Sequence, residues 1–339
     1  MFDTVKFGVP IHLSQDEIEQ VEWTRTNTSI NKQRIDTSPT IFKTLRGDEL
    51  QGEPVIHYTY KEFEPSKSWL KVELSIPKFL NGTNVYELGH NDIDVLNKVI
   101  RKYLSIKLKL DLSRIPFLES YTVEKVHICK NFYVGNNVKH YLKALTSLTI
   151  PKYKRREYTG TGTGNFDSVE WIAKKRKEKV YDKKEEVMQQ KDYESKKRHV
   201  ERAKGILRYE IELSDADIRS ISPGRKATDV LRPEVATKFL QKGLIRNGLS
   251  SGVRYSSLQD ILDLINKQLL PPRTKSALIA YVTEIYFYGE DICREKYSKS
   301  IYYERKKQIR DILGLDEILI GEVILPPLSV GKEKRLSKI

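Results

Sequence analysis

Cysteine is almost absent from this 339-residue chain, occurring only as Cys129 and Cys293. Two thiols so far apart form neither a zinc-ligand pattern nor a disulfide scaffold, so the expected compartment is a reducing one. Long apolar runs are also lacking, and nothing approaches the roughly 20 residues that a bilayer-spanning helix requires. The start, Met1-Phe2-Asp3-Thr4-Val5-Lys6-Phe7, has no charged n-region followed by an apolar h-region. These absences argue against a membrane protein and predict a cytoplasmic location. The tract Thr159-Gly160-Thr161-Gly162-Thr163-Gly164 lacks the Gly-Lys-Ser/Thr ending of a phosphate-binding P-loop and reads as a plain loop.

What the chain has in excess is positive charge: 60 Lys and Arg against 46 Asp and Glu, a formal net charge of +14. A polyanionic partner follows, nucleic acid before an anionic membrane. The runs Lys152-Tyr153-Lys154-Arg155-Arg156, Lys174-Lys175-Arg176-Lys177 and Lys196-Lys197-Arg198 concentrate that charge. Charge runs are most often solvated faces. Tyr153 and Trp171 beside two of them instead suggest a groove that tracks phosphates and stacks unpaired bases. Lys154, Arg155, Arg156, Lys174, Lys175, Arg176 and Lys177 are the candidate DNA contacts.

Up to about residue 215 the apolar pattern is mainly strand-like. Val5, Phe7 and Val9 alternate, as does Trp69 to Ile76, which Pro77 ends. Tyr121 to Val134 also alternates, with Val123, Lys125, His127 and Cys129 on one face. Asp92 to Ile106 has helical spacing, with Ile93, Leu96, Ile100 and Leu104 in one stripe. A strand is predicted at Val169 to Ala173, a charged helix from about Val180 to Arg202, and a strand at Leu207 to Leu213. Beyond Ser222-Pro223-Gly224 helical blocks follow near 232–243, 256–268, 272–287 and 298–313, closed by a strand at Ile318 to Leu325.

Tyr181 is the candidate nucleophile. A phenol with a pKa of about 10 attacks phosphorus only when ammonium groups or a metal-polarised phosphate assist it. In a helix starting near Val180, Lys184 and Glu185 share its face at i+3 and i+4. The plainer reading is a solvated charged helix. Glu73, midway along an apolar strand, and His127, projecting from a sheet face, are candidate metal ligands. Each alone is more often structural; Glu73, His127, Glu186 and Glu210 converging on one site would make a metal-assisted phosphoryl-transfer centre.

The succession Val72-Glu73-Leu74-Ser75-Ile76-Pro77-Lys78-Phe79-Leu80-Asn81-Gly82, Val123-Glu124-Lys125-Val126-His127-Ile128-Cys129-Lys130-Asn131-Phe132, Val180-Tyr181-Asp182-Lys183 and Leu207-Arg208-Tyr209-Glu210 resembles the filamentous-phage gene II/X replication initiators. Those are rolling-circle nicking endonucleases related to plasmid Rep proteins. The resemblance spans roughly residues 69 to 215 and loosely includes Lys299 to Lys307. It implies a tyrosine nuclease that nicks one strand of a duplex origin, becomes joined to the 5′ phosphate, and leaves a 3′ hydroxyl to prime a host polymerase. By motif the nucleophile is Tyr181, with Lys183 two residues on and Glu186 as the nearby acid, and Glu73 and His127 map to the metal positions, for Mg²⁺ or Mn²⁺; Glu186 is the third candidate ligand, and Lys184 and Glu185, from the helical spacing, join Lys183 as candidate catalytic neighbours. Arg208 joins the DNA contacts.

Two departures stand out. His127 replaces an aspartate usual in these relatives, and the second histidine of an HUH pair is missing, with Cys129 at its position. Glu185 occupies the place of a second tyrosine at i+4, which implies a one-tyrosine mechanism. The expected architecture is α+β: an HUH/Rep-like antiparallel-sheet nuclease domain with flanking helices at 1–215, then a mainly helical domain at 216–339 for DNA binding, assembly or host contacts. Expected partners are origin DNA with an exposed single strand, and host helicase and polymerase. The rival expectation is a non-catalytic origin- or single-strand-binding protein that keeps the fold.

Overall fold

The computed structural model describes residues 1–29, 39–62, 64–89, 91–146, 148, 150, 152–159, 166–173, 176–250, 255–313, 319–321 and 325–330. Lys174, Lys175 and the Thr-Gly tract after Thr159 lie outside them. The chain is α+β and forms two interleaved units. The first contains residues 1–129, 191–193 and 212–237, and the second 130–190, 194–211 and 238–339. No described helix is long and apolar enough to cross a membrane.

The first unit is built on strands β1 (Phe2–Pro10), β2 (Arg25–Ser29), β3 (Thr40–Arg46), β4 (Val55–Lys61), β5 (Glu64–Ser75) and β6 (Thr122–Tyr133), whose last residues run into the second unit. They are hydrogen-bonded in the order β2-β3-β4-β5-β1-β6. Alternation dictates the two faces. Val5, Phe7 and Val9 of β1 and Leu70, Val72 and Leu74 of β5 are buried, while Lys6 and Glu73 pair on the opposite face. Ile76 does not extend β5 as the alternation suggested. It opens a helix, Ile76–Asn81, because Pro77 suits a first helical turn, and Gly82 closes it at φ 70°. The helix Asp92–Leu108 buries Leu96, Ile100, Leu104 and Leu108, the predicted stripe moved one turn onward from Ile93.

β6 departs from strict alternation. Its register against β1 passes from Lys6↔Lys125 to Phe7↔Val123, skipping Glu124. Such a bulge places two consecutive residues on one side: Glu124 pairs with Lys71 and Lys125 with Glu73. Val123 is therefore buried away from Lys125, not on the shared face that the sequence predicted.

Gly8 lies under the Trp69 ring, where an added Cβ would fall 2.2 Å from the indole nitrogen. Gly8→Ala should displace the ring and cost about 1–3 kcal/mol, read as a lower urea midpoint with altered tryptophan emission. An unchanged midpoint would refute this packing.

The second unit contains β7 (Lys154–Thr159), β8 (Phe166–Ile172), β9 (Lys177–Asp182) and β10 (Ile206–Glu212), with the strand order β10-β9-β8-β7. Val169 faces Val180, and Ser168 faces Tyr181. The predicted helix from Val180 to Arg202 is thus a strand followed by two helices, Lys183–Gln189 and Lys196–Ala203. Asp182 makes the break by accepting the amide hydrogens of Lys184 and Glu185 as N-cap. Lys139 bridges Asp167 at 2.6 Å and Asp182 at 3.6 Å, tying the cap to β8.

The later helices, all in this unit, include Pro233–Arg246 (its first residues excepted), Leu258–Asn266, Pro272–Tyr288, Glu290–Lys296 and Lys299–Leu313. Glu290–Lys296 was not anticipated. Ile261, Ile265, Leu278, Tyr281, Val282, Ile285, Cys293, Tyr302 and Ile309 form the core of the last four helices. Of the expected closing strand, Leu319–Gly321 is described and pairs in parallel with Tyr255–Ser257.

Candidate active site

Alternation along β9 separates scaffold from chemistry. Glu178 and Val180 point to one side, Lys179 and Tyr181 to the other. On the first side, Glu178 is fully buried. It accepts from Tyr209 Oη at 2.6 Å, Tyr153 Oη at 3.2 Å, Asn247 Nδ2 at 3.3 Å and the Arg246 guanidinium. Burial, then the Glu178 charge, raise the phenols of Tyr209 and Tyr153 above the usual tyrosine range, so both remain donors.

On the second side, Tyr181 is 6 % exposed and donates its hydroxyl to Glu210 Oε2 at 3.1 Å. Lys179 Nζ lies 4.8 Å and Lys183 Nζ 5.9 Å from the centre of its ring. Glu210 is held from behind by Arg208, whose Nε is 3.7 Å from the same carboxylate oxygen and whose Nη1 donates to Asn131 Oδ1 at 3.4 Å. A phenol and a carboxylate able to take its proton therefore share one hydrogen bond, with two ammonium groups beside the ring.

Lys183 is completely buried and bonded to Glu186 at 2.5 Å, and Gln190 also donates to Glu186 at 2.7 Å. Burial works to raise the Glu186 carboxyl. The Lys183 charge and the bonds from Lys183 and Gln190 outweigh it, and the group titrates below the ordinary range. Glu186 thus serves Lys183. Lys184 and Glu185 pair with each other at 3.7 Å on the helix after the cap, not on a helical face shared with Tyr181, because Tyr181 is in the strand.

In the first unit, Glu73 has one carboxylate oxygen 3.6 Å from Lys6 Nζ and the other 3.6 Å from Lys125 Nζ. Two ammonium ions on one carboxylate compete with any bound cation. His127 Nε2 instead meets Glu212 Oε2 at 3.5 Å. An imidazole with a carboxylate suits a divalent ion that keeps part of its water shell, so this pair, unlike Glu73, fits Mg²⁺ or Mn²⁺. Among the described residues no three His, Cys, Asp or Glu side chains are grouped to hold a metal.

The basic residues divide. Lys154 and Arg156 are exposed on one face of β7. Arg155 bonds to Glu157, Asp291 and the Leu148 carbonyl. Arg176 lies over the Phe239 ring at 5.7 Å, and Lys177 pairs with Glu170 at 2.5 Å. Arg208, expected to touch DNA, is 1 % exposed, and its guanidinium turns inward to Glu210 and Asn131. Sequence reasoning weighed Glu210 only as a member of a metal centre with Glu73, His127 and Glu186, and passed over Lys179 and Glu212. The available signal was the alternation of Arg208, Glu210 and Glu212 along one face of β10.

A family model for the N-terminal part of the phage gene II replication-associated protein matches residues 1–230. No curated protein matches the chain. Among solved structures, the di-domain ARO/CYC BexL from the BE-7585A biosynthetic pathway aligns over 72% of this chain and 93% of its own, at 8% identity. Its TM-score of 0.17 carries no argument about the fold.

Proposed function

Because the chain belongs to the filamentous-phage gene II family of replication initiators, we propose that it starts rolling-circle replication as a nicking and closing endonuclease with Tyr181 as its single covalent nucleophile. The observation that carries this reading is the Tyr181 hydroxyl bonded to Glu210, with Lys179 and Lys183 beside the Tyr181 ring. Tyr181 Oη attacks the scissile phosphorus while its proton passes to Glu210. The bond from phosphorus to O3′ breaks, O3′ leaves with a proton from water, and the 5′ phosphate stays on the tyrosine. Lys179 and Lys183 neutralise charge as the phenolate and the phosphorane form. Arg208 holds Glu210 in place. The reverse reaction, with a 3′ hydroxyl as nucleophile, rejoins the strand because the phosphotyrosine ester conserves the bond. His127 and Glu212 would hold a Mg²⁺ or Mn²⁺ ion, whose chemistry when bound is charge neutralisation on a phosphate oxygen. Lys154 and Arg156 are read as backbone contacts to the strand, and the helices after residue 215 as part of origin binding.

One observation favours the non-catalytic rival: at 6 % exposure, Tyr181 meets a phosphate only after local opening. A supercoiled plasmid carrying the replicon's origin, incubated with the intact protein and Mn²⁺, separates the two. Nicked circles with protein covalently attached support the enzyme, and their absence supports the rival. Glu210→Gln removes the proton acceptor while keeping the shape. It should lower the nicking rate about 10²-fold, within the usual range for a general base, with origin affinity unchanged. An unaltered rate would show that Glu210 takes no proton.

A further inference from the structure

The helices of the second unit form an open cleft of about 300 Å³ lined by Arg294, Lys299, Tyr302 and Tyr303. That is the small end of the ligand-sized range, about 300–1,000 Å³, and suits one nucleotide rather than a duplex.

Its cations differ from their neighbours. Lys296 is bonded to Glu284 at 2.5 Å and Lys306 to Glu290 at 2.8 Å. Arg294 and Lys299 are exposed and have no carboxylate partner among the described residues. The tyrosines differ too. Tyr302 is 4 % exposed and donates to Glu290 at 2.5 Å, which fixes its ring as the wall. Tyr303 packs edge-on against it, centroids 5.1 Å apart at 79°, and remains 52 % exposed. An exposed ring braced by a buried one beside two uncommitted cations is a stacking platform with a phosphate clamp.

We propose that this cleft binds one unpaired nucleotide of a single DNA strand, its base stacked on Tyr303 and its phosphate held by Arg294 and Lys299. The site is separate from the Tyr181 chemistry and shares with the nicking proposal only the premise that the chain handles DNA. It gives the helical region a grip on a displaced strand.

The test is fluorescence anisotropy of the full chain with labelled oligothymidylate and with a duplex of equal length, across a salt series. Tyr303→Ala should weaken oligothymidylate binding about tenfold, the scale of losing one stacked base, and leave duplex binding unchanged. The double variant Arg294→Ala/Lys299→Ala should reduce the slope of log affinity against log salt by about 0.7, the contribution of the one single-strand phosphate that is no longer neutralised. Tyr303→Phe, which keeps the ring, should bind as the parent does and controls for folding. Parental affinity and slope in both alanine variants, or equal losses on duplex, would overturn the assignment. Nicking of the origin plasmid is read separately, so a chain that does not nick but shows these changes would fail the earlier proposal and not this one.

Discussion

Tyr181→Phe should abolish the covalent adduct and reduce origin nicking at least about 10⁴-fold, the scale on which loss of a nucleophile acts in covalent catalysis. The substitution deletes one oxygen from a side chain that is otherwise held by packing and by the Lys179 and Lys183 contacts to its ring. Neither contact depends on the hydroxyl, so the fold and the affinity for origin DNA should persist. The bond that disappears is the 3.1 Å donation to Glu210. Glu210 then keeps Arg208 as its partner and is not left an isolated buried charge. Rates on a supercoiled origin plasmid, with DNA affinity measured alongside, check this. A Phe variant that nicks within about tenfold of the parent would move the nucleophile to another residue.

Glu178→Ala should strongly destabilise the second unit. The carboxylate is fully buried and collects Tyr209, Tyr153, Asn247 and Arg246. Removing it leaves the Arg246 charge and two phenols with their acceptor gone. Breaking a buried charge pair in this way costs about 3–5 kcal/mol. Glu178→Gln retains an acceptor for the phenols and loses only the charge, so it should fall between parent and alanine in a urea titration. An alanine variant within about 0.5 kcal/mol of the parent would show that the network contributes no stability.

The two predictions sit back to back on one strand, and their separation shows what could be read from the sequence. The elements that rest on local periodicity were legible, as in β5 and the Asp92–Leu108 helix, whereas β2, β3, β7 and β9 were not anticipated as strands. The resemblance over the Glu73, His127, Tyr181 and Arg208 segments led to the family that the match to residues 1–230 shows. The conformation around Tyr181 was misread because Lys183 to Glu186 continues its charge pattern smoothly. Only the Asp182 cap and the pairing with β8 reveal that the strand ends there. The bulge at Glu124 was hidden for a similar reason, since a register shift is a property of two strands and not of one. The bonds from Tyr181 to Glu210 and from His127 to Glu212 span 29 and 85 positions, and no local spacing rule reaches that far. The fate of Glu73 is instructive as well. A half-buried acid in a strand does need partners, and here they are two lysines.

The central claim is that Tyr181 carries the DNA. The intact protein is incubated with the origin plasmid and Mn²⁺, the DNA is digested with nuclease, and the peptides are sequenced by mass spectrometry. A nucleotide 5′ phosphate on the peptide containing Tyr181 is the expected result. A modified peptide with the phosphate on any other residue, or nicked DNA with no modified peptide, would contradict it.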